Sequence, residues 1–241
     1  MPCVPTQRPL KVLLTGFGPF RTHETNASFE IVQRVVAEST RLEGVELVGH
    51  PEPVRVSYTA VDALLTQLYQ THPGLDLVIH TGIAGSLPRA HFLLEKIAHR
   101  EHYLHPDVDG FVLDSFANLP THNHSSPGPL SLSSSVDLLP LLQNVTDQIS
   151  EPIDLKVSEN AGRYLCEFIY YYSLQRFEKS TPRSSNVEEE TEEREEDPVQ
   201  LRRPVLFVHL PPLLNPFDIR LGALVLQTII LQIRALHFPS R

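Results

Sequence analysis

The sequence predicts an α/β protein, with a central, mainly parallel or mixed sheet covered by helices on both faces in a three-layer α/β/α sandwich. Three observations predict it. Short apolar runs closed by glycine or proline turns recur along the chain, helical patterns alternate with them, and 241 residues with a hydrophobic fraction of 41% can bury one large core. A single domain spanning residues 1–241 is expected.

Leu10–Leu14, closed by Thr15-Gly16, has the mostly apolar form of a strand buried on both faces. The form returns at Leu75–His80 before Thr81-Gly82 and at Pro204–His209 before Leu210-Pro211-Pro212. Weaker strand patterns occupy Val45–Val48, Phe92–Ile97 and Leu155–Val157. Between them, Ser28–Glu38, Tyr58–Tyr69, Val136–Ile149, Tyr164–Phe177 and Ile219–Leu236 carry apolar residues at three- and four-residue steps, the helical period. In such a sheet, ligands collect beyond the carboxyl ends of the strands, so the turns that follow them are where chemistry is expected. Two stretches break the alternation. Residues 118–135 are rich in Ser, Pro, His and Asn, and residues 179–198 end in a glutamate run; both read as solvated loops, the second disordered because like charges repel and little apolar surface is present to offset chain entropy.

Charge and composition narrow the function classes. The formal net charge is −9, and the acidic stretch alone supplies most of it. No basic stripe is present to displace phosphate counterions, so nucleic acid is not an expected partner. The N-terminal residues lack an apolar signal core and no uninterrupted apolar run is long enough for a bilayer, which makes a membrane an unexpected partner and the cytoplasm the expected address. Two cysteines, Cys3 and Cys166, cannot build a multi-bridge secreted framework and fit a reducing compartment.

Four motifs carry candidate chemistry. Thr15-Gly16-Phe17-Gly18-Pro19-Phe20 follows the first strand, but Arg21 stands where a dinucleotide loop needs its third glycine and no Gly-Lys-Ser/Thr follows, so neither dinucleotide nor nucleotide is implied. Phe17 and Phe20 form either a core cap or the floor of an apolar pocket. In Asn160-Ala161-Gly162-Arg163-Tyr164-Leu165-Cys166 the cysteine falls early in a helix, with Ser158 or Asn160 available as cap, where free backbone N–H groups favour a thiolate. His209 ends a buried strand just before two prolines, and Glu95 is a carboxylate in an apolar strand, costly to bury unless it holds a partner such as an imidazole N–H. Taken singly, Cys166 and His209 also read as ordinary core residues. His99, His102 and His105, near Asp107 and Asp109, could suggest a metal, but the segment lacks a zinc-protease pattern and reads more simply as a polar loop; no cofactor is expected.

Together these residues resemble the pyroglutamyl-peptidase type I family of intracellular cysteine exopeptidases. The match is carried by the Thr15–Phe20 motif with Asn26-Ala27-Ser28 behind it, by His80-Thr81-Gly82-Ile83-Ala84-Gly85 with Leu94-Glu95-Lys96, by Asn160–Cys166, and by Val208-His209-Leu210-Pro211. The resemblance implies a phosphorylase/hydrolase-like α/β/α sandwich and hydrolysis of the amide bond after an N-terminal pyroglutamyl residue of peptides. It makes Cys166 the nucleophile, His209 its base and Glu95 the carboxylate that orients the imidazole. Phe17 and Phe20 are then the rings that sandwich the lactam, Asn26 organises their loop, and Tyr164 and Leu165 join the substrate-binding wall. Arg100, in place of a usual Asn, and Ile83 depart from the family pattern, and the two polar loops are longer than usual. Two alternatives remain at this level: a non-catalytic relative that binds cyclic N-termini or small amides, and a nucleoside-phosphorylase-like enzyme, although the phosphate loop that the latter needs is absent. The oligomeric state is not legible.

Overall fold

The computed structural model describes residues 8–114, 119, 128–178 and 204–238. In chain order the elements are β1 (Leu10–Gly16), α1 (Ala27–Ala37), β2 (Val45–Gly49), α2 (Tyr58–Thr71), β3 (Leu77–Ile83), β4 (His91–Glu95), β5 (Ile97–His99), β6 (Ser131–Ser133), α3 (Leu138–Gln148), β7 (Asp154–Ser158), α4 (Leu165–Glu178), β8 (Val205–Leu210) and α5 (Pro216–His237), with a 3-10 turn at Ser39–Arg41.

Six strands form one sheet in the order β2-β1-β3-β8-β4-β7. The first four run parallel, and β4 and β7 run parallel to each other but antiparallel to β8, so the sheet is mixed. Because successive side chains of a strand point to opposite faces, β8 divides its residues cleanly. Leu206, Val208 and Leu210 join the core under α1, α3 and α5, while Val205 and Phe207 join the core under α2 and α4. The layers follow from this division: Ile31, Val35, Leu141, Leu226 and Ile229 cover one face, and Tyr58, Leu65, Phe168, Ile169 and Tyr170 the other.

The six expected strands and five expected helices all form, with ends shifted by a few residues. Two local readings change. The pattern over Phe92–Ile97 divides at Lys96 into β4 and β5, and β5 pairs antiparallel with β6, in a stretch that reads as loop from sequence. Within that stretch, the described residues 128–135 are anchored rather than free. Leu132 is buried, Arg100 donates to the Gly128 carbonyl, and the Tyr171 hydroxyl donates to the Pro129 carbonyl at 2.6 Å. Arg100, next after β5, thus ties the returning end of this stretch to that strand. The expected disorder of residues 179–198 falls outside the described residues.

By length and composition α5 could cross a bilayer, yet Leu221, Val225, Ile229 and Ile233 bury one side of it against the sheet beside α1 and α3. Its start is set by Asn215, which accepts from the Asp218 N–H at 3.1 Å, and by Pro216 in the first turn, where no donor is needed.

A buried polar chain crosses the α2/α4 face. The Tyr69 hydroxyl donates to Ser173 Oγ, Ser173 meets His80 Nε2, and His80 Nδ1 meets Thr15 Oγ1, each at 2.7 Å. Burial alone pushes the His80 imidazole down to about 3, so it is neutral. A neutral ring accepts at one nitrogen and donates at the other, which lets one proton direction run from Tyr69 to Thr15 and joins α2, α4, β3 and β1 with no unpaired ring atom.

Candidate active site

The site is assembled by register. His209, near the end of β8, lies opposite Gly82 of β3 on one side and Leu93 of β4 on the other, while Glu95 lies opposite Phe207. His209 and Glu95 are therefore diagonal neighbours on the same sheet face as Phe207, the face covered by α4. His209 Nδ1 and Glu95 Oε1 are 2.7 Å apart, with both side chains almost entirely buried. Since the carboxylate can only accept, Nδ1 carries the proton and donates it, and Nε2 is left for Cys166. Glu95 Oε2 is buried with no partner among the described residues, so the carboxylate makes its side-chain hydrogen bond to the imidazole alone. The Tyr170 hydroxyl donates to the Glu95 carbonyl at 2.8 Å, so the helix that carries the cysteine also fixes the strand that carries the carboxylate.

Cys166 is the second residue of α4 and a free thiol. Cys166 and His209 line the same cavity, and the sulfur is among the groups that act on the His209 imidazole. Burial by itself would push the His209 imidazolium down, but its interactions with Cys166 and then with Glu95 outweigh burial and lift the group to about 9.

Two left-handed residues in succession, Gly162 at φ 97° and Arg163 at φ 50°, turn the chain from β7 into α4. Arg163 is not a residue that favours this region, and the adjacent Glu167 holds it there. Glu167, fully buried, accepts from the Arg163 backbone N–H at 2.7 Å and from its guanidinium at 2.6 Å, and also from the His99 N–H at 2.9 Å and ring at 2.7 Å. This replaces the cap expected from Ser158 or Asn160: Ser158 Oγ instead accepts from the Asn160 N–H, and Asn160 Oδ1 from the Gly162 N–H, both upstream of the helix.

Gly82 makes room for the sulfur. A methyl group built on its Cα would stand 2.8 Å from Cys166 Sγ and 2.9 Å from the Phe207 ring, closer than nonbonded atoms approach. The glycine is visible in the His80–Gly85 motif, but its role is not, because the register that sets it beside His209 is tertiary. Glu167 is also missed by sequence reasoning. Its one local signal is the four-residue spacing from Arg163, a distance at which opposite charges can meet near a helix start.

A cavity of about 420 Å³ opens over Cys166 and His209. Phe17, Phe20, Asn26, Tyr164 and Leu165 all line it. Phe17 is 3% exposed and belongs to the α2/α4 core, so it is core cap and pocket floor at once. Phe20 is more open and packs at a tilt against Tyr164, ring centroids 5.4 Å apart and planes 39° apart. Asn26 works from beneath: its amide donates to the Gly18 carbonyl at 2.9 Å, and its carbonyl accepts from the Ser28 N–H and hydroxyl, capping α1 and fixing the Phe17–Phe20 loop in one arrangement. Among the described residues no cluster of three or more His, Cys, Asp or Glu could hold a metal ion. His99 is engaged by Glu167, and His105 stands in the cavity wall.

Comparison with known proteins agrees with this geometry. Pyroglutamyl-peptidase 1 of Rattus norvegicus and that of Homo sapiens are each 32% identical over 208 residues, which is 86% of this chain and 81% of theirs. The crystal structure of pyrrolidone carboxyl peptidase from Fervidobacterium islandicum superposes with a TM-score of 0.69 and 25% identity, covering 93% of this chain and 98% of that one. Residues 10–186 match the sequence profile of the pyroglutamyl peptidase family, a span that holds Glu95 and Cys166 and stops short of His209. The chain belongs to the pyroglutamyl peptidase family.

Proposed function

We propose that the protein is a cysteine exopeptidase that hydrolyses the amide bond after an N-terminal pyroglutamyl residue of peptides, with Cys166 as nucleophile, His209 as acid and base and Glu95 as orienting carboxylate. The observation that carries this reading is the Glu95–His209 pair at 2.7 Å with Cys166 beside the same imidazole in one cavity. An imidazolium beside the sulfur favours the thiolate, the attacking form. The sulfur adds to the pyroglutamyl carbonyl, and the resulting oxyanion meets backbone N–H groups of the first turn of α4, which have no partner within the helix. As the carbon–nitrogen bond breaks, His209 Nε2 gives its proton to the leaving amine. His209 then takes a proton from water, the hydroxide attacks the thioester, and pyroglutamate leaves as the thiolate is restored.

The cavity supports the choice of acyl group. Phe17 and Phe20 offer apolar ring faces suited to a flat, neutral lactam, whereas a free α-ammonium would lose hydration there without a counter-charge. The names of the relatives support the same substrate class. Cytoplasm is the proposed compartment, since an active thiolate needs reducing surroundings. The test is release of the chromophore from a pyroglutamyl anilide, compared with the anilide of open-chain glutamate, before and after iodoacetamide. Turnover of the cyclic substrate alone, abolished by alkylation, is expected; equal turnover of both, or turnover that survives alkylation of Cys166, would refute it.

A further inference from the structure

The cavity wall is electrostatically one-sided. Arg21 and His105 stand in it, and among the described residues no Asp or Glu does. Arg21 is also an exposed residue, which places it at the mouth rather than the floor. Its backbone is in the left-handed region, φ 51°, at the tip of a tight turn in which Phe20 and His23 exchange hydrogen bonds of 3.0 and 2.9 Å. A non-glycine residue there costs about 1–2 kcal/mol, so something in the fold must hold it. What holds it is aromatic. The guanidinium lies 4.8 Å over the Phe20 ring and 5.8 Å from that of Tyr164, the two rings that pack together in the wall. Nearby arginines are neutralised: Arg55 pairs with Asp109 and Arg163 with Glu167. Arg21 has no such carboxylate among the described residues and presents a fixed, uncompensated positive charge to whatever passes the mouth.

The substrate's chemistry decides what that is. The pyroglutamyl ring is neutral and, being the end of its chain, occupies the closed part of the cavity, so the peptide on the leaving side of the scissile bond must run out past the mouth. The geometry points to a carboxylate-binding subsite there, centred on Arg21, that favours pyroglutamyl peptides with an anionic group directly after the scissile bond. The group is either an acidic side chain or the free C-terminal carboxylate of a pyroglutamyl dipeptide. His105, whose ring lies 6.4 Å from that of Tyr164, supplies a second hydrogen-bond donor on the same wall. The inference rests on the peptidase reading above.

Two matched pairs test it: pyroglutamyl-aspartyl amide against pyroglutamyl-asparaginyl amide, and pyroglutamyl-alanine against pyroglutamyl-alaninamide, each followed as kcat/KM in the intact protein. The anionic member of at least one pair should be favoured about 2- to 5-fold at low ionic strength, the range of an exposed ion pair, and less at high salt. Preference in the first pair identifies the side chain as the source, and preference only in the second identifies the terminus. In Arg21→Gln the ratio should fall to about one, whatever happens to the rates themselves, because loss of ring bracing slows both members of a pair alike. Arg21→Lys, which keeps the charge without the stacking, should retain part of the preference. Arg21→Gly, which relieves the left-handed turn, serves as a second charge-free variant should Arg21→Gln fold poorly. Equal use of both members in both pairs, or a preference unchanged in the charge-free variants, overturns the subsite while leaving the peptidase reading intact. Failure of the wild type on all four peptides would overturn that reading, and the subsite with it.

Discussion

Gly82→Ala is the sharpest probe of how the site is built. The new methyl would sit 2.8 Å from Cys166 Sγ, with the Phe207 ring 2.9 Å away to block a sideways escape. Comfortable separation is about 3.5–4.0 Å, so the sulfur must retreat by roughly 1 Å. The retreat carries it away from His209, which lies opposite Gly82 across the β3–β8 ladder. A displacement of about 1 Å in a reacting atom costs on the order of 10²-fold in rate, or about 2.7 kcal/mol of transition-state stabilisation. Overpacking adds about 1–3 kcal/mol to the cost of folding, a loss that a stable domain survives. The assay is kcat/KM on a pyroglutamyl anilide, with thermal unfolding and the rate of iodoacetamide alkylation measured in parallel. Gly85→Ala is the control, because a methyl there meets nothing within 4 Å. Near-normal kcat/KM in folded Gly82→Ala would refute the claim that the sulfur occupies the space this glycine leaves.

Other outcomes follow from the same geometry. Cys166→Ala and His209→Ala should each lower kcat by about 10⁶-fold, the double variant little further, and Glu95→Gln by about 10⁴-fold, since the three act as one unit; single-turnover assays of the four variants check this. Because the folded-state pKa of His209 is raised to about 9, its stabilising contribution is complete below about pH 6.5 and is lost as pH rises through about 9. Urea unfolding should show that decline in the wild type and a smaller one in Cys166→Ala, and kcat/KM should fall along the same alkaline limb. His80 has the opposite sign: its pKa is depressed to about 3, so its contribution is complete above about pH 6.5 and falls away on acidification toward 3. Near pH 5 that is a loss of about 2 kcal/mol at most, and His80→Asn should lose less between pH 7 and 5 than the wild type does. An identical loss in both would remove His80 from the account.

What the sequence reveals depends on how local the cause is. β1, β3 and β8 are legible because burial on both faces leaves near-continuous apolar runs such as Val205–Leu210, and the helices because each has one sheet to cover. The β5–β6 pair is not legible. Each strand has three residues, too few for a period, and Leu132 alone carries the burial of β6 between two exposed serines. The reversal of β4 is hidden as well, since direction belongs to the connections rather than to the composition of His91–Glu95. Cys166, His209 and Glu95 stand out as chemically costly residues in apolar settings. Gly82, Glu167 and Arg21 do not, because a missing side chain, a local brace and a rim charge have meaning only once distant segments are brought together.

The place of β8 in the sheet bears on when the protein becomes active. β8 comes last among the strands in sequence, yet it lies between β3 and β4, with three strands on one side of it and two on the other. During synthesis a ribosome-bound chain that has made Glu95 and Cys166 still has a slot in the middle of its sheet, and the apolar faces meant for Val205–Leu210 stay open. Insertion of that strand joins the two halves of the sheet and delivers His209 in the same event. A chain that ends before Val205 therefore holds Cys166 and Glu95 without His209, and the proposed triad is complete only once β8 is in place.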